Sequence, residues 1–109
     1  MVSVGMAAVT LGGKATVSTA GTRVQLTSSA AHQNLHNIYI TADEDNAGKV
    51  YVGDVTVTSD LYLEVLLAGD SVSIPSPSHG GGAILGNLDA TTINLDSDIA
   101  SQSVQWGFN

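Results

Sequence analysis

Apolar residues recur at every second position along most of this chain. That period of two restricts it to strands with one buried and one wet face. Val24 and Leu26 flank Gln25, Ile38 and Ile40 flank Tyr39, Val50 and Val52 flank Tyr51, and Val72 and Ile74 flank Ser73. Val55 and Val57, Leu61 and Leu63, and Ile93 and Leu95 are spaced in the same way, and Val104, Trp106 and Phe108 close the chain on the same beat. Branched Val and Thr fit a pleated surface and favour that state. No stretch carries apolar residues at helical spacing over three turns with caps. Even-numbered residues are expected to face inward along 24–26, 38–40, 50–52, 72–74 and 104–108, and odd-numbered ones at 55–57, 61–63 and 93–95. The change of parity falls at Gly53-Asp54, where a turn or bulge would absorb it.

Turn signals separate these runs at short intervals: Gly12-Gly13, Ala20-Gly21, Asp45-Asn46-Ala47-Gly48 and Ala68-Gly69-Asp70. Gly supplies the positive φ that tight hairpins require, and Asp or Asn supports it through side-chain bonds to the backbone, so these turns are expected to close hairpins. The segment from Pro75 to Gly82 stands apart, two prolines fixing an extended path and three glycines releasing it. The expected fold is all-β: a single-domain antiparallel β-sandwich or small barrel, jelly-roll-like, with about eight short strands. Residues 1–15 read as an N-terminal arm or edge strand and residues 16–109 as the sandwich.

A chain of 109 residues holds one core. Three basic against ten acidic residues give a net charge of −7, which excludes a basic nucleic-acid groove as the main business of the protein. There is no cysteine, hence no disulfide, thiolate metal site or Cys nucleophile. The apolar start lacks a cationic region before Lys14, so no secretory leader is expected, and no run approaches the roughly 20 apolar residues of a spanning helix. Neither a membrane nor direct nucleic-acid contact is therefore expected of it.

Chemistry is weakly marked. Asp43, Asp45, Gly48 and Asp54 fall at offsets 1, 3, 6 and 12 of a calcium loop, but Ala47 occupies a ligand offset and the flanks are strand-like. A solvated hairpin tip explains the same residues. His32 and His36 are four apart, without the HExxH frame of a zinc helix, and His79 has no acidic neighbour in sequence. The His79-Gly-Gly-Gly82 run lacks both the GxSxG elbow of an esterase and the Gly-Lys-Ser or Gly-Lys-Thr of a phosphate loop. No cofactor, metal ligand set or catalytic residue is assigned, and the chain does not read as an enzyme.

Aromatic and apolar residues carry more. Tyr39, Tyr51 and Tyr62 lie opposite the inward residues of their strands, which suits a contact surface. Val2, Val4, Met6 and Val9 form the candidate arm, able to lie along a neighbouring subunit by strand addition. Trp106 is expected in the core, and Phe108, one residue from the end, at a docking contact.

Three segments together, Thr19–Leu26, Asn46–Asp54 and Leu66–Ile74, followed by Ile93–Leu95 and Val104, resemble small virion structural proteins of tailed bacteriophages, in particular capsid decoration (cement) proteins. The resemblance spans residues 16–106 and departs at Asp54–Leu67, which is more strand-like, and at Pro75–Gly82, which is longer. It implies a homotrimer on the outer capsid surface, bound to the major capsid protein and stabilising the shell, with no catalytic residue. Other expectations are a tail, neck or fibre component, or a carbohydrate-binding β-sandwich built on the tyrosines.

Overall fold

The computed structural model describes residues 9–76 and 88–109. Among these residues eight strands form two antiparallel sheets: β1 (Thr10–Val17), β2 (Val24–Gln25), β3 (Asn37–Ala42), β4 (Val50–Gly53), β5 (Glu64–Leu66), β6 (Ser71–Pro75), β7 (Asn94–Ser97) and β8 (Gln102–Phe108). A 3₁₀ turn, Ala90–Thr92, precedes β7, and its first free amides are met by Asp89, whose Oδ1 accepts from Thr91 N at 2.9 Å. The expected arm residues Val2, Val4 and Met6, and the loop from Pro77 to Gly82 with His79, lie outside the described residues.

The first sheet runs β1-β8-β3-β6 and the second β2-β7-β4-β5. β1 pairs with β8, β2 with β7, β3 with β6 and β4 with β5. The chain is thus one long ribbon doubled back between β4 and β5, its successive rungs placed alternately in the two sheets. The pairs β3–β8 and β4–β7 knit the rungs together. This is the strand order of an eight-stranded jelly roll, and the sandwich expected from the alternation is present.

The core fills the space between the sheets. Ile38, Ile40, Val104 and Trp106 of the first sheet meet Val50, Val52, Leu66 and Leu95 of the second, all buried. Each such side chain contributes about 1.5–3 kcal/mol by leaving water. The even parity along 38–40, 50–52 and 104–106, and the odd parity at 93–95, hold.

Three local expectations are corrected. Gly12-Gly13 is not a turn: it lies inside β1, at a bulge where the register with β8 shifts between Leu11 and Gly13. Trp106 requires glycine at this bulge, for a methyl group on Gly12 would sit 2.5 Å from Trp106 Cε2. The runs 55–57 and 61–63 are not strands with odd residues inward. Val55, Leu61 and Leu63 are exposed, and Val57 alone of the four is buried. Local bonds hold this segment instead. Thr56 N donates to Asp54 Oδ1 at 2.8 Å, Asp60 N to Thr58 Oγ1 at 3.1 Å, and Thr58 and Leu61 exchange backbone bonds. Side-chain turns of this kind satisfy the backbone without a partner strand. Finally, the turns at Ala20-Gly21, Asp45–Gly48 and Ala68–Asp70 are not hairpins, because each joins strands of different sheets. They gather at one end of the sandwich with the β7–β8 link, where Gly21 N reaches Asp96 Oδ1 and Lys49 N reaches Asp98 Oδ1.

Candidate functional site

The outer face of the first sheet carries an open groove of about 610 Å³. Its floor is Tyr39 and Thr41 of β3 with Gln105 and Gly107 of β8, and one wall is Val9 and Leu11. Leu11 is 85% exposed and Val9 39%, an apolar ridge beside the groove. The ridge exists because the bulge at Gly12 ends one run of alternation and starts another. Among the described residues β1 is an edge strand, with β8 as its partner on one side.

The opposite rim is the acidic β3–β4 loop, Asp43, Glu44 and Asp45. Asn46 pins this loop to β8 from both ends of its amide, its Nδ2 donating to Ser103 O at 2.8 Å and its Oδ1 accepting from Ser103 N at 2.9 Å. Gly48 N donates to Gln102 Oε1 at 2.7 Å. Across the groove, Lys14 Nζ lies 3.1 Å from Asp43 Oδ2, and Gln105 Nε2 donates to Asp43 Oδ1. These bonds hold the Asp43 carboxyl below the usual carboxylate range, the Lys14 ammonium first among them.

The calcium reading of Asp43–Asp54 does not survive this geometry. The β4 strand separates Asp45 from Asp54, so the two carboxylates belong to opposite ends of the sandwich. A four-residue strand spans roughly 13 Å, far beyond a shared ion. Asp54 is engaged by Thr56 N and Thr56 Oγ1. His32 and His36 lie on the irregular β2–β3 link rather than a helix, His32 packing edge-on against Trp106 with centroids 5.3 Å apart.

The tyrosines do not form one surface. Tyr39 faces outward from the first sheet, half-buried, with its hydroxyl 3.4 Å from Asn109 Nδ2. Tyr51 faces outward from the second sheet, on the other side of the molecule, and is only 7% exposed. The segment 54–63 folds over it and lays the Tyr62 ring against it, centroids 5.1 Å apart. Phe108 points inward with Trp106, half-buried and packed on the core. Val9 and Tyr39 are therefore the expected contact residues that meet in the groove.

Alternation did not mark Leu11, Leu61 and Leu63 as exposed. The signals that could have done so are the glycine pair after Leu11 and the Asp-x-Thr and Thr-x-Asp spacings before Leu61.

Burial pushes the pKa of the Tyr51 hydroxyl up, aided by the negative charges of Asp98, Asp60 and Asp96. Being raised, it favours the fold below the ordinary tyrosine range, and that contribution is lost as pH rises through the folded value. An alkaline absorbance titration is expected to show a late phenolate step that vanishes in Tyr51→Phe; an unchanged curve places Tyr51 in solvent.

With this geometry established, comparison with known proteins returns no matching family model, curated protein or solved structure.

Proposed function

We propose that this chain is an adhesive structural protein, a capsid decoration (cement) protein of a tailed bacteriophage. It sits as a homotrimer on the outer capsid surface and binds the major capsid protein. The observation that carries the reading is the outer face of the first sheet, where an exposed apolar ridge borders an open groove on a jelly roll. Apolar side chains held in water next to a polar rim mark a contact surface. The resemblance along residues 16–106 supplies the capsid setting.

The mechanism is mechanical. Surface buried across capsomer boundaries is lost when the shell opens, so the bound protein raises the free energy of opening in proportion to its occupancy. The net charge of −7 repels packaged DNA and suits an outer position. Residues Val2, Val4, Met6 and Val9 add to the footprint by lying along a neighbour, main chain to main chain.

Particles carrying the protein are expected to release their DNA at a higher temperature than particles lacking it, and adding the purified chain back is expected to restore the difference. Equal thermal survival of the two populations overturns the reading. Electron microscopy that finds the chain on the tail reassigns it to a tail, neck or fibre role.

A further inference from the structure

We propose that Tyr51 and Tyr62 form a site of oxidative cross-linking, where one-electron oxidation joins the two rings by a carbon–carbon bond and fastens the segment 54–63 onto the second sheet. The ring centroids are 5.1 Å apart and the planes are inclined by 41°. The backbone holds them there. Leu63 N donates to Val52 O at 2.8 Å, so the residue after Tyr62 is bonded to the residue after Tyr51. Thr58 and Leu61 close the turn between them by exchanging backbone bonds. Exposure divides the pair into two roles. Tyr62 is 44% exposed and can meet an oxidant in solution, whereas Tyr51 is 7% exposed and sheltered beneath it. Tyr39, the third tyrosine, belongs to the first sheet and faces away from both. The chain has no cysteine, so no thiol intercepts the oxidant or supplies a rival cross-link.

The oxidant is a one-electron acceptor of the class that a haem peroxidase forms with hydrogen peroxide. Each phenol gives it one electron and loses its hydroxyl proton, leaving a phenoxyl radical whose unpaired spin is shared with the ring carbons ortho to oxygen. Ring contact lets the first radical pass from Tyr62 to Tyr51, after which a second oxidation at the exposed Tyr62 completes the pair. The Tyr51 proton leaves towards the carboxylates of Asp98, Asp60 and Asp96, whose charges act on that hydroxyl. The two radicals pair their electrons in one bond between ortho carbons, and each ortho hydrogen then moves to oxygen and restores a phenol. In total two electrons and two protons are lost, and one peroxide accepts them to give two waters. Proximity favours this internal bond. The Tyr51 phenol is already in contact, whereas a phenol of a second copy must arrive by diffusion against a net charge of −7 on each chain. The product closes a covalent loop through residues 51–62, and such a closure restricts the opened chain. A cover held by local bonds and one ring contact thereby becomes permanent.

Photo-oxidation of the full chain with a ruthenium polypyridyl complex and persulfate supplies a one-electron oxidant and tests the site. The monomer is expected to lose two hydrogens in mass, to gain the blue emission of dityrosine, and to yield on digestion a peptide pair joined at Tyr51 and Tyr62. Tyr51→Phe and Tyr62→Phe are each expected to abolish all three signals, and Tyr39→Phe to leave them. Each variant keeps its ring, and circular dichroism checks that it folds. Unfolding the chain in urea before illumination is expected to cut the monomer product roughly tenfold, because the ring contact is then lost. Thermolysin, which cuts before exposed apolar residues such as Leu61 and Leu63, is expected to cleave the cross-linked chain roughly tenfold more slowly than the untreated one. Absence of dityrosine in the wild type, emission that survives either single variant, a product found only between chains, or an equal yield in urea overturns the proposal. Equal cleavage by thermolysin overturns the fastening of the cover.

Discussion

Trp106→Ala is expected to destabilise the isolated chain by about 3–5 kcal/mol, the range for truncating a buried large aromatic. Trp106 is 4% exposed and sits in β8, the strand bonded to both β1 and β3. Its ring packs against His32 and Phe108 as well as the bulge at Gly12. Truncation therefore opens a cavity beneath three elements at once. For a domain of this size the loss corresponds to a fall in melting temperature of at least 12 °C, about 4 °C or more per kcal/mol. Calorimetry reads it directly, and a shift of a few degrees would show that the ring is dispensable to the core.

Gly12→Val is expected to cost about 1–3 kcal/mol, by overpacking rather than by cavity formation. Even the first carbon of a side chain at this position would lie 2.5–2.6 Å from three atoms of the Trp106 ring. A rigid indole clamped between β1 and the core cannot yield by rotating a terminal group. The mechanism makes a sharper prediction than the size of the loss. In the Trp106→Ala background the added side chain occupies vacated space, so the double variant is expected to be more stable than the two single losses sum to. Residues in contact are where additivity fails. Additive losses in a double-mutant cycle would mean that Gly12 is required for its backbone and not for the ring above it.

The same pair shows what the sequence makes legible and what it leaves hidden. Alternation reports which side of a strand a residue occupies, so Ile38, Ile40, Val50, Val52, Leu95, Val104 and Trp106 could be assigned to the core before any strand had a neighbour. It does not report which strands are neighbours. Gly21 and Gly69 adopt φ of +82° and +83° and do reverse the chain, as their sequence context indicates. A reversal within a sheet and a reversal between sheets need the same glycine, so strand order was out of reach. Leu61 and Leu63 fail for a different reason. Their spacing imitates a strand, but Asp54 and Thr58 capture nearby amides and coil the backbone over Tyr51. Tyr51 accordingly has the expected facing and an unexpected cover. In the groove, Val9 and Tyr39 could be picked out singly; their meeting depends on β8 lying between β1 and β3, and no local pattern encodes that.

The nested strand pairing also sets a timetable for synthesis. The partner of β1 is β8, the last of the described strands in chain order, so Thr10–Val17 must wait for Gln102–Phe108 before its ladder can form. By contrast, β4 and β5 can meet early and seed the second sheet. Closure entropy must be met before such distant contacts give any return, which places the protein among slow folders. An emerging chain whose bulged β1 is unpaired until β8 is made is open to wrong partners in that interval, and a bulge with Lys14 beside it is a feature that discourages stray pairing at such an edge.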